Sequence, residues 1–199
     1  MIEKGTLIII SGPSGSGKGT VVEKLINTGS YALSISATTR SPRDYEKEGT
    51  HYFFKSVDEF KKMIENNELL EWAEFCGNFY GTPKEYVMGK LNEGKNVILE
   101  IEVQGAAQVK KIFTEAVTVF LIPPDKEELR KRLTGRGTED NETIEKRIQR
   151  AAEEIELLPN YDYVVINDEI ENAVERINCI VKASKFESHR YIEKIKDFK

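Results

Sequence analysis

The sequence predicts an α/β fold in which buried strands alternate with helices. Three apolar runs of strand length lie at 7–10, 96–103 and 117–122, and a segment compatible with a helix follows each of them. The block from 49 to 81 breaks this alternation, because its short strands are separated by turns. It predicts a small α+β subdomain inserted into a core of strands and helices.

The first strand ends in a glycine-rich loop. Its apolar run stops at Gly12, and the residues through Lys18 are Gly-Pro-Ser-Gly-Ser-Gly-Lys, followed by a helix-compatible segment at 21–26. A polyphosphate needs backbone N–H groups turned inward, which glycines allow, and the helix N-terminus adds its dipole and unpaired donors. Lys18 can reach the β- and γ-phosphates as a point charge, so the stretch predicts a phosphate-binding P-loop. Its binding residues are Gly12, Pro13, Ser14, Gly15, Ser16, Gly17, Lys18, Gly19 and Thr20.

One position of this loop departs from the strict pattern. Ser or Thr normally follows the lysine directly, but here that residue is Gly19, and the hydroxyl of Thr20 comes one position later. The direct magnesium ligand is therefore left open. The alternative to a P-loop is an ordinary glycine-rich turn, which explains neither the strand before it nor the helix after it.

Two arginines follow the next predicted strand, at 31–36. Arg40 and Arg43 lie three residues apart, with hydroxyl side chains around them and Pro42 between them. Paired guanidinium groups of this kind can hold an anion. The residues predict either an anion clamp or a solvated loop.

The inserted block contains recognisable helix and strand signals. A short strand is predicted at 50–54, and Ser56 with Glu59 forms a capping box for a helix that runs through residue 64. A strand pair follows at 69–75 and 78–80.

Two glutamates lie near the end of the predicted strand at 96–103. Glu100 and Glu102 are two residues apart, so on a strand they share one face. In open parallel sheets ligands bind beyond the carboxyl ends of the strands, where these acids could reach a metal's water shell or a substrate. The alternative is that the apolar residues point inward and the glutamates point into water.

The second half of the chain continues the alternation. Pro83 begins a helix that ends near 92–94, Asp125 caps a helix through residue 133, and a last short strand is predicted at 163–168. The long helix predicted over 142–157 and the residues before it are rich in arginine. Such a segment is either a solvated helical hairpin or a mobile lid that carries charge to phosphates.

Composition narrows the class of function. The 199-residue chain suits one domain with insertions or two small domains, and its net charge of −5 argues against general nucleic-acid binding. Cys76 and Cys179 are far apart and lack metal-ligand spacing, as in a reduced cytosolic protein. The sequence shows no signal-peptide pattern and no apolar stretch of membrane-spanning length, so we expect a cytoplasmic protein without a membrane partner.

Taken together, these residues resemble a guanylate kinase, and the resemblance covers nearly the whole chain. The presence of all these motifs in this order is more specific evidence for the family than any single motif. They are Gly-Pro-Ser-Gly-Ser-Gly-Lys at 12–18, Ser-Ala-Thr-Thr-Arg-Ser-Pro-Arg at 36–43, Glu-Trp-Ala-Glu-Phe at 71–75, Gly-Asn-Phe-Tyr-Gly-Thr at 77–82, Gln-Gly at 104–105, Gly-Arg-Gly at 135–137 and Val-Ile-Asn-Asp at 165–168.

The resemblance implies a three-layer P-loop fold with a parallel core sheet and one reaction. The core comprises 1–36, 91–126 and 159–199, the GMP-binding subdomain 37–90 and the helical lid 127–158. The implied reaction transfers the γ-phosphoryl group of ATP to GMP and dGMP, with Mg²⁺ as cofactor, in purine nucleotide metabolism. Its partners are the small-molecule substrates, while the oligomeric state is left open. The alternatives are a kinase for another nucleoside monophosphate and a non-catalytic scaffold domain.

The resemblance also implies roles for individual residues. The arginines and tyrosines of the GMP site hold the phosphate, Glu71 reads the guanine edge, and Ser36 and Thr82 lie near the guanine carbonyl. The GMP-binding residues are Ser36, Arg40, Arg43, Tyr52, Glu71, Tyr80, Thr82, Glu100 and Glu102. The catalytic residues are Lys18, Arg40, Arg132, Arg136 and Arg147, and ATP is held by the P-loop with Arg136 and Asn167. Mg²⁺ is expected at Thr20 and, through water, at Glu100 or Glu102.

This sequence departs from the family pattern at the metal site. Glu100 and Glu102 stand where many members carry aspartates, and Gly19 replaces the usual serine. The intact P-loop lysine, Lys18, argues against a scaffold domain, whereas Glu71 and Thr82 favour guanine over another base.

Overall fold

The computed structural model describes residues 4–135 and 140–192, without the side chains of 141 and 189. The strands are β1 (Leu7–Ser11), β2 (Tyr31–Leu33), β3 (Ala37–Thr38), β4 (Phe53–Phe54), β5 (Leu69–Phe75), β6 (Asn78–Pro83), β7 (Asn96–Glu100), β8 (Val117–Ile122) and β9 (Tyr163–Ile166). The α-helices are α1 (Lys18–Asn27), α2 (Val57–Glu65), α3 (Lys84–Asn92), α4 (Val103–Ile112), α5 (Lys126–Thr134), α6 (Asn141–Ile155) and α7 (Ile170–Ser184). Two short 3-10 helices lie at Leu158–Asn160 and Ser188–Tyr191.

The core is a five-stranded sheet in the order β2-β7-β1-β8-β9, and every neighbouring pair is parallel. Parallel neighbours need crossover connections, so helices cover both faces of the sheet. Helices α1 and α7 pack on one face, and α3 and α4 pack on the other. This three-layer arrangement confirms the predicted α/β fold.

The buried strand β1 shows why its sequence is apolar throughout. Ile8 and Ile10 belong to the apolar cluster on the α1 and α7 face, whereas Leu7 and Ile9 belong to the cluster on the opposite face. All four side chains are essentially inaccessible to solvent. A strand covered on both faces needs a continuous apolar run rather than an alternating one, which is what residues 7–10 provide.

A second sheet, in the order β4-β3-β6-β5, carries helix α2. It is a mixed sheet, and Phe60 of α2 is buried with Ala37 and Leu69 in a small apolar cluster. The predicted capping box is confirmed: the Ser56 hydroxyl accepts from the Glu59 N–H at 3.2 Å, and the Glu59 carboxylate accepts from the Ser56 N–H at 2.7 Å. The predicted inserted α+β block therefore forms its own sheet and its own core.

The strand predicted over 96–103 is shorter in the structure, which corrects one inference about its glutamates. Strand β7 ends at Glu100, and Glu102 is the N-cap residue of α4. The apolar alternation continues past the strand because Val103, the first residue of helix α4, is itself buried. Glu100 and Glu102 therefore do not share a strand face, although both still lie at the carboxyl end of β7.

Other predicted boundaries shift by a few residues. Helix α1 begins at Lys18 rather than at 21, the strand predicted at 31–36 ends at Leu33, and the strand predicted at 50–54 is limited to Phe53–Phe54. No helix in the described ranges, 4–135 and 140–192, has both the length and the apolar character needed to cross a membrane.

Helices α5 and α6 form a hairpin with its own apolar contacts. Leu129 and Leu133 of α5 pack against Ile144 and Ile148 of α6. The Asp125 carboxylate caps α5 as predicted, accepting from the Glu128 N–H at 2.7 Å. The connection between the two helices, 136–139, lies outside the described residues.

One carboxylate ties the edge of the core sheet to helix α4. Asp162 Oδ2 accepts from Lys110 Nζ at 2.8 Å, from the Thr118 N–H at 2.9 Å and from the Thr118 hydroxyl at 2.8 Å. Desolvation acts to raise the pKa of Asp162, but these donors outweigh it and hold the pKa below its usual range. The ionised carboxylate is therefore a stabilising contact in the folded protein.

We predict that Asp162→Ala lowers the free energy of unfolding by about 1–2 kcal/mol at pH 7, because three donors lose a charged acceptor that is partly open to solvent. Since the folded-state pKa is depressed, the stabilisation is present above the pKa of the unfolded chain and is lost as the pH falls through the folded-state pKa. Urea denaturation at pH 7 and in acid measures both effects. The control is Glu115→Ala, which removes an exposed carboxylate close by. If Asp162→Ala lowered the free energy of unfolding equally at pH 7 and in acid, the prediction would be contradicted.

Candidate active site

A cleft of about 970 Å³ opens at the carboxyl end of β7, between the glycine-rich loop, the second sheet and helix α6. The structure brings several of the predicted site residues to its wall. They are Ser14, Lys18, Ser36, Tyr52, Glu71, Tyr80, Glu100, Glu102 and Arg147. The predicted residues Thr20, Arg40, Arg43, Thr82, Arg132 and Asn167 are not among those that line the cleft. Arg136 lies outside the described residues, so its predicted role stays a prediction.

The glycine-rich loop has the backbone geometry that a phosphate cradle requires. Gly12, Gly15 and Gly17 have φ values of +144°, +91° and +90°. A Cβ atom at Gly12 would lie only 2.1 Å from the carbonyl oxygen of Leu121, so a side chain has no room there. Helix α1 begins directly afterwards, so its unpaired N–H groups belong to the same loop.

The ammonium group of Lys18 arches back over this loop. It donates to the carbonyl oxygen of Gly12 and, at 3.3 Å, to that of Pro13. The cation is thus held at the mouth of the loop, where it lines the cleft. An anion bound by the loop would meet its charge directly.

Helix α6 brings two guanidinium groups to the opposite side of the cleft. Arg147 donates to the hydroxyl of Ser14 in the glycine-rich loop. Arg150, which was not among the predicted site residues, donates to the buried Glu154 at 2.9 Å and lies 4.0 Å from Glu102. The spacing of Arg147 and Arg150 on one helix was the available signal, since residues three apart share a face.

Glu71 is a buried carboxylate on the wall of the cleft. It is 8% exposed, and its Oε1 accepts a 2.6 Å hydrogen bond from the Thr82 hydroxyl. Burial raises the pKa of Glu71, while the hydrogen bonds from Thr82 act in the opposite direction. A Cβ atom at Gly105 would lie 3.0 Å from Oε2, so that glycine leaves space beside the carboxylate. The second oxygen is available to a donor in the cleft.

The two arginines of the predicted anion clamp share one acidic partner. Arg40 Nη2 donates to both carboxylate oxygens of Glu46, at 2.8 and 3.0 Å, and the Arg43 N–H donates to the same group at 2.8 Å. The Arg40 guanidinium also lies 5.5 Å from the Tyr52 ring, whose centroid is 6.2 Å from that of Tyr80. Glu46 was not predicted, because nothing in the sequence distinguishes it from the other glutamates, and only the fold brings its side chain to the arginines.

Glu100 faces the first turn of α1. Its Oε1 lies 3.8 Å from the point where a Cβ of Gly19 would be, so the carboxylate borders the space that the missing side chain leaves. Desolvation in the cleft raises the pKa of Glu100, the charge of Lys18 lowers it, and the charge of Glu102 raises it again. Thr20 is exposed on the same turn.

The comparisons with known proteins agree over most of the chain. A sequence model of guanylate kinase matches residues 4–184. The guanylate kinase of Shouchella clausii is 54% identical over 196 residues, which cover 98% of this chain and 96% of that protein. The guanylate kinase of Bacillus cereus is 56% identical over 180 residues, which cover 89% of this chain and 88% of that protein.

The fold is also similar to a solved structure. The crystal structure of guanylate kinase from Anaplasma phagocytophilum matches with a TM-score of 0.71 at 34% identity, over 93% of this chain and 88% of that chain. Sequence and fold thus agree, and the chain belongs to the guanylate kinase family.

Proposed function

We propose that this protein transfers the γ-phosphoryl group of ATP to GMP, and to dGMP, in purine nucleotide metabolism. The observation that carries the proposal is that a buried carboxylate, Glu71, and the P-loop cation, Lys18, open onto the same cleft. The carboxylate of Glu71 can accept hydrogen bonds from the edge of a purine, and the ammonium group of Lys18 can bind a polyphosphate. Membership of the guanylate kinase family supports the same reaction.

Phosphoryl transfer between these nucleotides requires aligned substrates and neutralised charge rather than a strong protein base. The acceptor is already a phosphate oxygen, so catalysis consists of alignment and neutralisation of the transferring group. Lys18 and Arg147 stand on two sides of the P-loop residues that would hold the ATP phosphates. We assign them, with Arg40, Arg132 and Arg136, to the stabilisation of that charge.

The acceptor site follows from the second sheet. We assign the GMP phosphate to Arg40, Arg43, Tyr52 and Tyr80. The shared partner Glu46 supports this assignment, because its carboxylate holds the Arg40 guanidinium and also accepts from the backbone N–H of Arg43, which keeps the two residues side by side. The base is assigned to Glu71, together with Ser36 and Thr82, and the acids Glu100 and Glu102 line the cleft between the two nucleotides.

Closure of the cleft completes the mechanism. We propose that the subdomain 37–90 and the lid 127–158 move against the core, which comprises 1–36, 91–126 and 159–199. Closure excludes water, which would otherwise accept the phosphoryl group of ATP. The hairpin of α5 and α6 suits a lid, because its apolar contacts lie within the hairpin while two of its arginines, Arg147 and Arg150, line the cleft.

Phosphoryl transfer in this family is ATP-dependent and generally uses a divalent metal ion. The donors near the P-loop fit Mg²⁺, since they are the hydroxyl of Thr20 and the carboxylates of Glu100 and Glu102, and Mg²⁺ prefers oxygen ligands and keeps several waters. Within the described residues no three acidic, histidine or cysteine side chains form a protein-only metal cage. We therefore propose that ATP phosphates hold Mg²⁺, with Thr20 as a ligand and Glu100 or Glu102 bound through water. When bound, the ion would neutralise charge on the phosphates.

The remaining assignments follow from the same proposal. The partners are ATP and GMP or dGMP, with no nucleic acid and no membrane, and the location is the cytoplasm. The net charge of −5 supports a small anionic ligand at a local basic site rather than a nucleic-acid duplex.

An ADP-release assay with five acceptors tests the proposed function. We predict turnover with GMP and dGMP and at most a trace with AMP, UMP or TMP, because only guanine offers two adjacent donors to Glu71. Comparable rates with AMP and GMP would contradict the proposal.

We predict that Lys18→Ala lowers kcat by at least about a hundredfold, because an oriented charge at the transferring phosphate is lost. Thermal melting should change little, since the ammonium group lines the open cleft, where it donates to the loop carbonyls of Gly12 and Pro13. The matched control is Lys24→Ala on the same helix, which removes only an exposed ion pair with Glu171. Near-normal turnover of the Lys18 variant would remove the basis for the P-loop assignment.

We predict that Glu71→Ala lowers kcat/KM for GMP by about a hundredfold to ten-thousandfold and leaves the KM for ATP nearly unchanged. Guanine presents its N1–H and its 2-amino group on one edge, and hydrogen bonds to a charged acceptor contribute about 1.5–3 kcal/mol each. Adenine has an acceptor at N1 and no amine at C2, so it leaves the carboxylate unpaired.

Steady-state kinetics with each substrate varied in turn measures this effect. Glu85→Ala, which removes an exposed carboxylate at the start of α3, serves as the control. An unchanged kcat/KM for GMP in the Glu71 variant would disprove base recognition by this residue.

A further inference from the structure

Asn167 is buried against the P-loop rather than open to the cleft. It follows β9, where its N–H extends the sheet by donating to the carbonyl oxygen of Ile122 at 2.8 Å. Its side-chain Nδ2 donates to the carbonyl oxygen of Ser16, also at 2.8 Å, and the residue is 3% exposed. The amide thus holds one particular peptide group of the loop.

The next residue of the loop, Gly17, has no room for a side chain because this amide lies against it. A Cβ atom at Gly17 would lie 2.4 Å from Asn167 Nδ2, closer than any side chain allows. Gly17 also has a φ of +90°, which favours glycine on its own account. The side chain of Asn167 therefore lies directly against the backbone of Gly17, and its hydrogen bond to the Ser16 carbonyl restrains the Ser16–Gly17 peptide.

Arg132 completes this contact from helix α5. Its Nη2 donates to the carbonyl oxygen of Asn167 at 2.9 Å, and its Nη1 donates to that of Ser16 at 3.3 Å. Its Nε is held by Glu128 at 2.9 Å. The carbonyl oxygen of Ser16 thus accepts from two side chains on two different elements, and this fixes the peptide that precedes Gly17 and Lys18.

The Asn167 amide is buried and does not line the cleft, so its polar atoms are not presented to a base. Its Nδ2 is engaged by Ser16, and its Oδ1 is buried without a hydrogen-bond partner among the described residues. An amine on an adenine ring could reach that oxygen only if the protein opened. Contact with the adenine of ATP is therefore the weaker interpretation of this residue.

We propose that Asn167 is a positioning residue for the donor phosphates: it fixes the Ser16–Gly17 peptide so that the following N–H groups point into the phosphate cradle. This inference rests on the proposed function in taking ATP as the phosphoryl donor. Its consequence is that Asn167 acts on the triphosphate chain and contributes equally to every nucleoside triphosphate. An adenine-reading residue would instead favour ATP alone.

The test uses Asn167→Leu, which keeps a similar volume but lacks the donor and the buried acceptor. We expect kcat/KM to fall by about tenfold for ATP and by the same factor for inosine triphosphate, which has a carbonyl where adenine has its amine. The ratio between the two donors stays unchanged. Calorimetry with inorganic tripolyphosphate, which has no base, should show a parallel loss of affinity.

One control variant separates this role from a loss of fold. Asn178→Leu removes the acceptor of a 2.6 Å hydrogen bond from the Tyr31 hydroxyl, on α7 and away from the loop. It should lower the melting temperature without changing donor kinetics or tripolyphosphate binding. An equal loss of tripolyphosphate affinity in both variants would overturn the proposal.

Two further outcomes would also overturn it. In the first, Asn167→Leu lowers kcat/KM for ATP to the value for inosine triphosphate but leaves the affinity for tripolyphosphate unchanged. That result would make Asn167 an adenine-reading residue. The other is unchanged kinetics and unchanged tripolyphosphate affinity in Asn167→Leu. If the wild-type protein failed to phosphorylate GMP, the proposed function would fail, but the tripolyphosphate comparison would still decide the role of Asn167.

Discussion

The close approach of the P-loop backbone to its neighbours is the constraint on which the rest of the structure depends. Strand β1 lies at the centre of the sheet, so the loop that leaves it is surrounded by the ends of other elements. At Gly12 the neighbour is the backbone of Leu121, and at Gly17 it is the side chain of Asn167. Both positions exclude a Cβ atom, so the loop takes its shape from tertiary packing as well as from its own dihedral angles.

The cations around the cleft illustrate a second constraint, which is mutual repulsion. Each of them has an acceptor within the protein: loop carbonyls for Lys18, the Ser14 hydroxyl for Arg147 and the Glu46 carboxylate for Arg40. Lys18 donates to neutral carbonyl groups, whereas Arg40 has a charged partner. A phosphate oxygen at Lys18 would therefore replace a neutral acceptor with a charged one, whereas at Arg40 it would join a charged acceptor that is already present.

The sequence allowed much of this architecture to be predicted where the determinants are local. The strand Val117–Ile122 and the capping box at Ser56 were predicted correctly, because an apolar run and a cap each depend on adjacent residues. The end of β7 was predicted wrongly, since Val103 keeps the alternating apolar pattern although it belongs to helix α4. Local pattern cannot show whether a buried apolar residue belongs to a strand or to the helix that follows it.

The partners of the site residues were harder to predict for a related reason. Glu46 lies six positions from Arg40, and the carbonyl of Ser16 is 151 positions from Asn167. Motifs indicated that these arginine and asparagine side chains belong to the site, but the atoms that they contact depend on how the elements pack. The contact between Arg150 and Glu154 could have been predicted from the sequence, because residues four apart on a helix are neighbours.

The base-recognition carboxylate and the phosphate loop are linked through the core sheet. Glu71 lies on β5, whose next residue, Trp72, exchanges two hydrogen bonds of 3.2 Å with the side chain of Gln108 on α4. Helix α4 follows β7, and β7 pairs with β1, which leads into the P-loop. In this structure the position of Glu71 relative to Lys18 is therefore set through hydrogen-bonded elements that do not include the lid. The proposed movement of the subdomain 37–90 would carry Glu71 with it, so closure would bring the acceptor base into its final alignment with the donor phosphate as well as exclude water.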